Sequence, residues 1–120
     1  HWNVVGKKFM EIHNFTEKAY DSLFEAFDEV AELLKMKGTY PLSTIAEYLE
    51  NSDIVEVKAK DFSREEALET VKQDLEAMKA LASDIRNLAD EEGDFETVGI
   101  FEGYVANFSK NIWFVKAMLK

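Results

Sequence analysis

The sequence contains no cysteine, one proline and five glycines in 120 residues. Without thiols it can build neither a disulfide framework nor a zinc-thiolate or iron–sulfur site. Their absence suits a reducing compartment, and a cytoplasmic location is the expectation. Few proline and glycine breakers leave room for long helices. Basic residues are scarce as well: 14 Lys and Arg stand against 24 Asp and Glu, a formal net charge of −10. Such a chain is repelled by nucleic acid unless a patch concentrates its lysines, and here they are scattered among acids. No stretch approaches the ~20 consecutive apolar residues of a membrane span, so no membrane partner is expected. What is present is globular composition, 47% hydrophobic and 32% charged. The length fits one domain of ~100–150 residues and excludes a multidomain enzyme with its own cofactor fold.

The few breakers divide the chain. Gly6, Gly38 and Gly93 separate long periodic stretches, and Pro41 follows Gly38. Glycine just past a helix, with proline soon after, is a stop signal. The first stretch, Lys7 to Lys37, carries a seam of Phe9, His13, Thr16, Tyr20, Leu23, Phe27, Val30 and Leu34. Its steps of four and three are the bundle pattern. Residues 38–62 form a long connection, read as a crossover that spans a bundle. Within it Ser43 can cap a short helix over Thr44 to Leu49, and Asp53 to Lys60 alternates weakly and reads as extended. Ser63-Arg64-Glu65-Glu66 is a capping box that opens a second long helix to about Glu92. Its apolar positions are Ala67, Val71, Leu75, Met78, Leu81, Ile85 and Leu88. Asp94 caps a last helix through Phe101, Tyr104, Val105, Phe108, Ile112, Trp113, Val115 and Leu119. Three long helices and a short one are therefore expected. The opening His1-Trp2-Asn3-Val4, without methionine, reads as the end of a further helix whose earlier part lies outside these residues.

The chemistry-bearing residues gather on the first long helix. His13 and Glu17 are spaced i, i+4, and so are Asp28 and Glu32. Side chains at that spacing share a face. With His13 at zero, Glu17 falls at about 40°, Asp28 at about 60° and Glu32 at about 100°, while the apolar seam centres at about −50°. Met10, Phe24 and Ala31 lie in the same arc. An arc mixing acids with apolar residues points to a second interface. His13 and Asp28 are 15 residues apart, roughly 22 Å along a helix, too far for one ion bound through bonds of about 2 Å. Two copies packed antiparallel about a two-fold axis near Ser22 or Leu23 would bring one copy's His13 and Glu17 to the other's Asp28 and Glu32. Two equivalent sites would form, as a self-complementary interface requires. Periodicity alone leaves two other readings open: acids on a solvated face, and a seam histidine satisfied in the core.

The residues carry a resemblance that bears on that choice. His1-Trp2-Asn3-Val4, Gly6, Phe9, His13 and Asp28-Glu29-Val30-Ala31-Glu32 resemble the Dps family, the mini-ferritins. Gly38, Pro41, Leu42, the Glu91-Glu92-Gly93-Asp94 turn with Thr97, and Ile112-Trp113 extend the likeness over essentially the whole chain. The resemblance implies one ferritin-like domain over residues 1–120, N-terminally incomplete. The implied fold is an all-α four-helix bundle with a short helix in its long crossover and most of the first helix absent. It implies a dodecameric shell of identical subunits. It implies iron as substrate: Fe(II) bound at sites shared between two subunits, oxidised preferentially by hydrogen peroxide, and stored as ferric mineral in the hollow centre. The implied iron ligands are His1, His13, Glu17, Asp28 and Glu32. Relatives commonly carry Asp where Glu17 stands, so the longer side chain would shift the second iron position. Trp2 is implied as an auxiliary residue that packs by the site and intercepts radicals; ordinary interfacial packing is the alternative.

Two further family features fit less well. Relatives line a three-fold pore with an acid, another five residues on and a third four further. Here those positions read Asp90, Phe95 and Gly99, so only Asp90 matches, with Glu92, Asp94 and Glu96 as substitutes in a shifted ring. Relatives that bind DNA generally do so through a lysine-rich tail. These residues hold no such run, and Lys8, Lys18 and Lys120 read as ordinary surface lysines. DNA binding is therefore not expected of this chain. The competing readings are a non-enzymatic shell protein that binds DNA or another macromolecule, and a plain helical adaptor.

Overall fold

The computed structural model describes residues 1–120, with four α-helices and no strand. They are α1 (Phe9–Met36), α2 (Ile45–Asn51), α3 (Arg64–Glu91) and α4 (Phe95–Met118). The long, short, long, long order is the expected one, and these helices begin and end within a residue or two of expectation; His1–Val4, expected as the end of a further helix, is not helical, because the left-handed turn at Gly6 and Lys8 breaks the chain from α1. The chain divides into two compact units, His1–Asp61 and Phe62–Lys120.

In the first unit, no side chain caps the start of α1. The backbone does the work: Gly6 (φ 96°) and Lys8 (φ 63°) are left-handed, and the N–H of Phe9 donates to the Gly6 carbonyl at 3.3 Å. Holding a non-glycine residue there costs on the order of 1–2 kcal/mol. This turn lays the preceding residues back along α1, where His1 reaches His13, Thr16 and Tyr20. At the far end Gly38 (φ 80°) closes a Schellman turn. The Gly38 N–H donates to Lys35 O and the Thr39 N–H to Leu34 O, both at 3.0 Å.

The side of α1 that is buried differs from expectation. Ile12, Thr16 and Leu33 are buried, with Ala19, Leu23, Ala26 and Val30 half-buried between them. That seam is turned by roughly 60° from the expected one. Phe9, Tyr20, Phe27 and Leu34 are consequently exposed. The sequence pattern weighted large apolar residues, whereas close packing selects whichever stripe fits, small alanines included.

The connection departs from expectation at the cap of α2. The cap of α2 is Thr44, not Ser43: its hydroxyl accepts from the Glu47 N–H at 3.2 Å, and Glu47 Oε2 accepts from Ser43 and Thr44 N–H at 2.9 and 3.0 Å. Ser43 Oγ donates instead to Pro41 O at 3.0 Å. Residues 53–60 form no strand and are exposed throughout. Water can satisfy the exposed backbone there, so no partner strand is needed.

In the second unit, α3 packs against α4. The Ser63 capping box forms as expected, with Ser63 N to Glu66 Oε2 at 2.9 Å and Glu66 N to Ser63 Oγ at 3.2 Å. The buried residues of α3 are Leu68, Leu75, Ala82 and Ala89. This regular seven-residue spacing is a bundle seam. The expected Leu81 and Leu88 lie outside it, 61% and 62% exposed. From α4, Thr97, Phe101, Phe108, Ile112 and Val115 are buried, while the expected Trp113 is exposed. Full burial of Leu68 or Val115 is worth about 1.5–3 kcal/mol each. Gly93 (φ 70°) makes a second Schellman turn, with Gly93 N to Asp90 O at 3.1 Å and Asp94 N to Ala89 O at 2.9 Å. Asp94 at once caps α4, accepting from the Thr97 N–H at 3.3 Å. Arg86 ties the two helices, its Nε and Nη2 lying 3.0 and 2.9 Å from Glu102 Oε1.

Candidate metal centre

Two histidines meet at the N-terminal part of α1. The His1 and His13 rings stack with centroids 3.9 Å apart and planes at 22°. His1 Nδ1 lies 3.0 Å from the His13 carbonyl, and His13 Nδ1 lies 3.2 Å from the His1 carbonyl. A carbonyl oxygen only accepts, so each Nδ1 carries the hydrogen. In its neutral form each ring then keeps a lone pair on Nε2, the nitrogen available to a metal ion. Both rings are half-buried. Phe9 lies alongside His13 with ring centroids 5.1 Å apart, and Tyr20 meets His1 edge-on at 5.1 Å.

The acids stand on the same helix. Glu17 follows His13 by one turn and is exposed. Partial desolvation, then the Glu17 and Asp21 carboxylates and a hydrogen bond to Glu17, hold the Tyr20 phenol above its ordinary range. Tyr20 therefore stays protonated and donates to Glu17. Asp28 and Glu32 are exposed further along, on the unbroken α1. At 1.5 Å per residue the unbroken helix keeps His13 and Asp28 roughly 22 Å apart. No group of three or more potential metal-ligating side chains comes together within the single chain.

An exposed apolar group lies on this flank. Phe24 stands between the two pairs, 72% exposed, and Met10, one turn before His13, is exposed as well. Phe27, stacked beside Phe24 at 6.2 Å, extends the patch. Trp2, next to His1, is 86% exposed. Sequence reasoning placed His13, Glu17, Asp28 and Glu32 on one flank but missed Thr16 and Tyr20, which it read as seam residues. The available signal was a polar residue in an apolar seam three positions after His13. Asp90, the pore candidate, is exposed in the last turn of α3, with Oδ2 3.3 Å from Arg86 Nη1. No helix is long and apolar enough to cross a membrane.

Comparison with known proteins places this arrangement in a class. The sequence model described as "Ferritin-like domain" matches residues 1–120. Antigen TpF1 of Treponema pallidum is 38% identical over 120 residues, covering 100% of this chain and 68% of that protein. Its crystal structure superposes with a TM-score of 0.97, covering 100% of this chain and 77% of the other. The DNA protection during starvation protein of Listeria innocua is 32% identical over 120 residues, 99% of this chain and 77% of that protein. Dps from Vibrio cholerae O1 has a TM-score of 0.94 at 28% identity, covering 100% of this chain and 75% of that one. It is described as a member of a broad superfamily of ferritin-like diiron-carboxylate proteins. The chain thus has a ferritin-like fold, and it belongs to the Dps family.

Proposed function

We propose that this chain is a ferroxidase and iron store. It takes Fe(II) at sites shared between two copies, oxidises it with hydrogen peroxide, and keeps the ferric product inside a dodecameric shell. One observation carries the reading: α1 presents a histidine pair with Nε2 free at one end and a carboxylate pair at the other, on one flank, with an exposed apolar patch between them. Two such helices packed antiparallel about an axis near Ser22 or Leu23 would bury the patch and complete two sites. His1, His13 and Glu17 would come from one copy, Asp28 and Glu32 from the other. Histidine and carboxylate donors with open positions suit ferrous iron. The description of the Vibrio cholerae Dps as a ferritin-like diiron-carboxylate protein supports the same donor chemistry.

The reaction balances with two ferrous ions. Each gives one electron, the O–O bond of peroxide breaks, and two protons complete two waters. Delivery of both electrons together avoids the hydroxyl radical that one-electron reduction releases. The chain's own part is to hold the ions close, with carboxylates offsetting their charge and Tyr20 steadying Glu17. Trp2 beside His1 would intercept stray radicals. Asp90 and the acids after it would attract cations to a pore. DNA protection, the function in the relatives' names, then follows from removing Fe(II) and peroxide. It needs no contact with DNA, which a charge of −10 opposes.

The test is anaerobic Fe(II) loading followed by a peroxide pulse, read by ferric absorbance. Wild type should oxidise fast. Asp28→Ala should lose more than the ~10–100-fold that a supporting residue costs. Equal slow oxidation in both would reduce these residues to a polar interface. A gel-shift assay at low salt that shows tight DNA binding would favour the macromolecule-binding alternative.

A further inference from the structure

We propose that Thr16 is a positioning residue, which fixes the nitrogen that His1 offers to the metal; the inference rests on the metal-site reading above. Thr16 is 8% exposed. Its hydroxyl lies 2.9 Å from Ile12 O, 3.1 Å from His13 O and 3.2 Å from His1 Nδ1. A hydroxyl has one proton and two lone pairs. The Thr16 hydroxyl donates its proton to the Ile12 carbonyl, the nearest of the three at 2.9 Å. Only lone pairs are then left for the histidine, and His1 Nδ1 must be the donor. The His13 carbonyl makes the same demand at 3.0 Å. Two acceptors therefore converge on one ring nitrogen and hold the proton there.

The consequence appears at the other nitrogen. Protonated Nδ1 leaves Nε2 with its lone pair, and the two acceptors fix the direction in which the ring presents it. Loss of the Thr16 hydroxyl leaves a single carbonyl to do this, so a flipped ring and the other tautomer become competitive. Thr16 sits on the core side of the ligand pair, three residues after His13 and one before Glu17. It is too buried to bind metal itself, and it acts through His1.

The experiment is an anaerobic Co(II) titration of the assembled protein, read by ligand-field absorption. It compares wild type, Thr16→Val, Thr16→Ser and His13→Ala, with helix content checked by circular dichroism. Valine keeps the branched shape without the hydroxyl; serine keeps the hydroxyl. Thr16→Val should weaken Co(II) binding about tenfold and alter the absorption bands, as loss of a supporting hydrogen bond does. Thr16→Ser should restore both. Equal losses in the two variants would assign Thr16 to packing alone and overturn the proposal. Wild-type binding by Thr16→Val, with binding lost in His13→Ala, would also overturn it while leaving the metal site standing. Wild-type binding by His13→Ala would bring down the metal-site reading itself.

Discussion

The two units use similar amphipathic helices to different ends. In the second, α3 and α4 share a regular buried seam, although Leu81, Leu88, Phe95 and Trp113 stay exposed. Leu68, Leu75, Ala82 and Ala89 supply it from α3, the connecting turn is closed by Gly93 and Asp94, and Arg86 bridges to Glu102. In the first, α1 buries Ile12, Thr16 and Leu33 but leaves Phe24, Phe27, Tyr20 and Met10 in solvent. Large apolar side chains left exposed together mark an interaction surface. The candidate ligands stand around that patch and not along the α3–α4 hairpin. The contrast teaches that exposed apolar surface alone does not mark the candidate site: only on α1 does it lie beside histidines and carboxylates on one flank.

The sharpest way to break the contrast is to charge the patch. Phe24→Glu should abolish association of copies, seen as a drop in sedimentation coefficient to that of smaller species. Helix content should stay near wild type, because Phe24 is exposed in the single chain. Retained assembly would show that the patch is not the interface. The reciprocal change is in the hairpin. Leu68→Ala removes a fully buried side chain and should cost ~2–5 kcal/mol by chemical denaturation, with Fe(II) binding per folded chain unchanged. Smaller still, Ser63→Ala removes a cap and should cost ~1 kcal/mol.

The smallest effect is a pH dependence. Burial pushes the Asp74 carboxyl on α3 above its ordinary value. A carboxyl raised in the folded state favours its protonated form there. Its charged form therefore costs stability above the folded value, and that cost is relieved as pH falls through it. Asp74→Asn should make the protein slightly more stable at neutral pH. The gain should fade toward acid, as read by thermal unfolding over the carboxylate range.

Much was legible in the residues. Gly38 and Gly93 ended helices because their φ values, 80° and 70°, are easy only for glycine. Ser63 and Asp94 capped helices because their oxygens accept from N–H groups that no helix carbonyl reaches. That His13, Glu17, Asp28 and Glu32 share one flank of α1 followed from the helical repeat. Seam choice was less legible: Leu81 and Leu88 ended up exposed while Ala82 and Ala89 were buried. Hydrophobicity ranks leucine first, but close approach of helices favours small side chains.

The sequence by itself determined where helices start and stop and which residues share a face, because capping, left-handed glycines and the 3.6-residue repeat are local. Only the tertiary structure decided which stripe of α1 is buried and that His1 folds back onto His13 and Thr16. Those outcomes depend on a left-handed turn at Lys8 and on packing, energies set by groups distant in the chain and invisible to any local pattern.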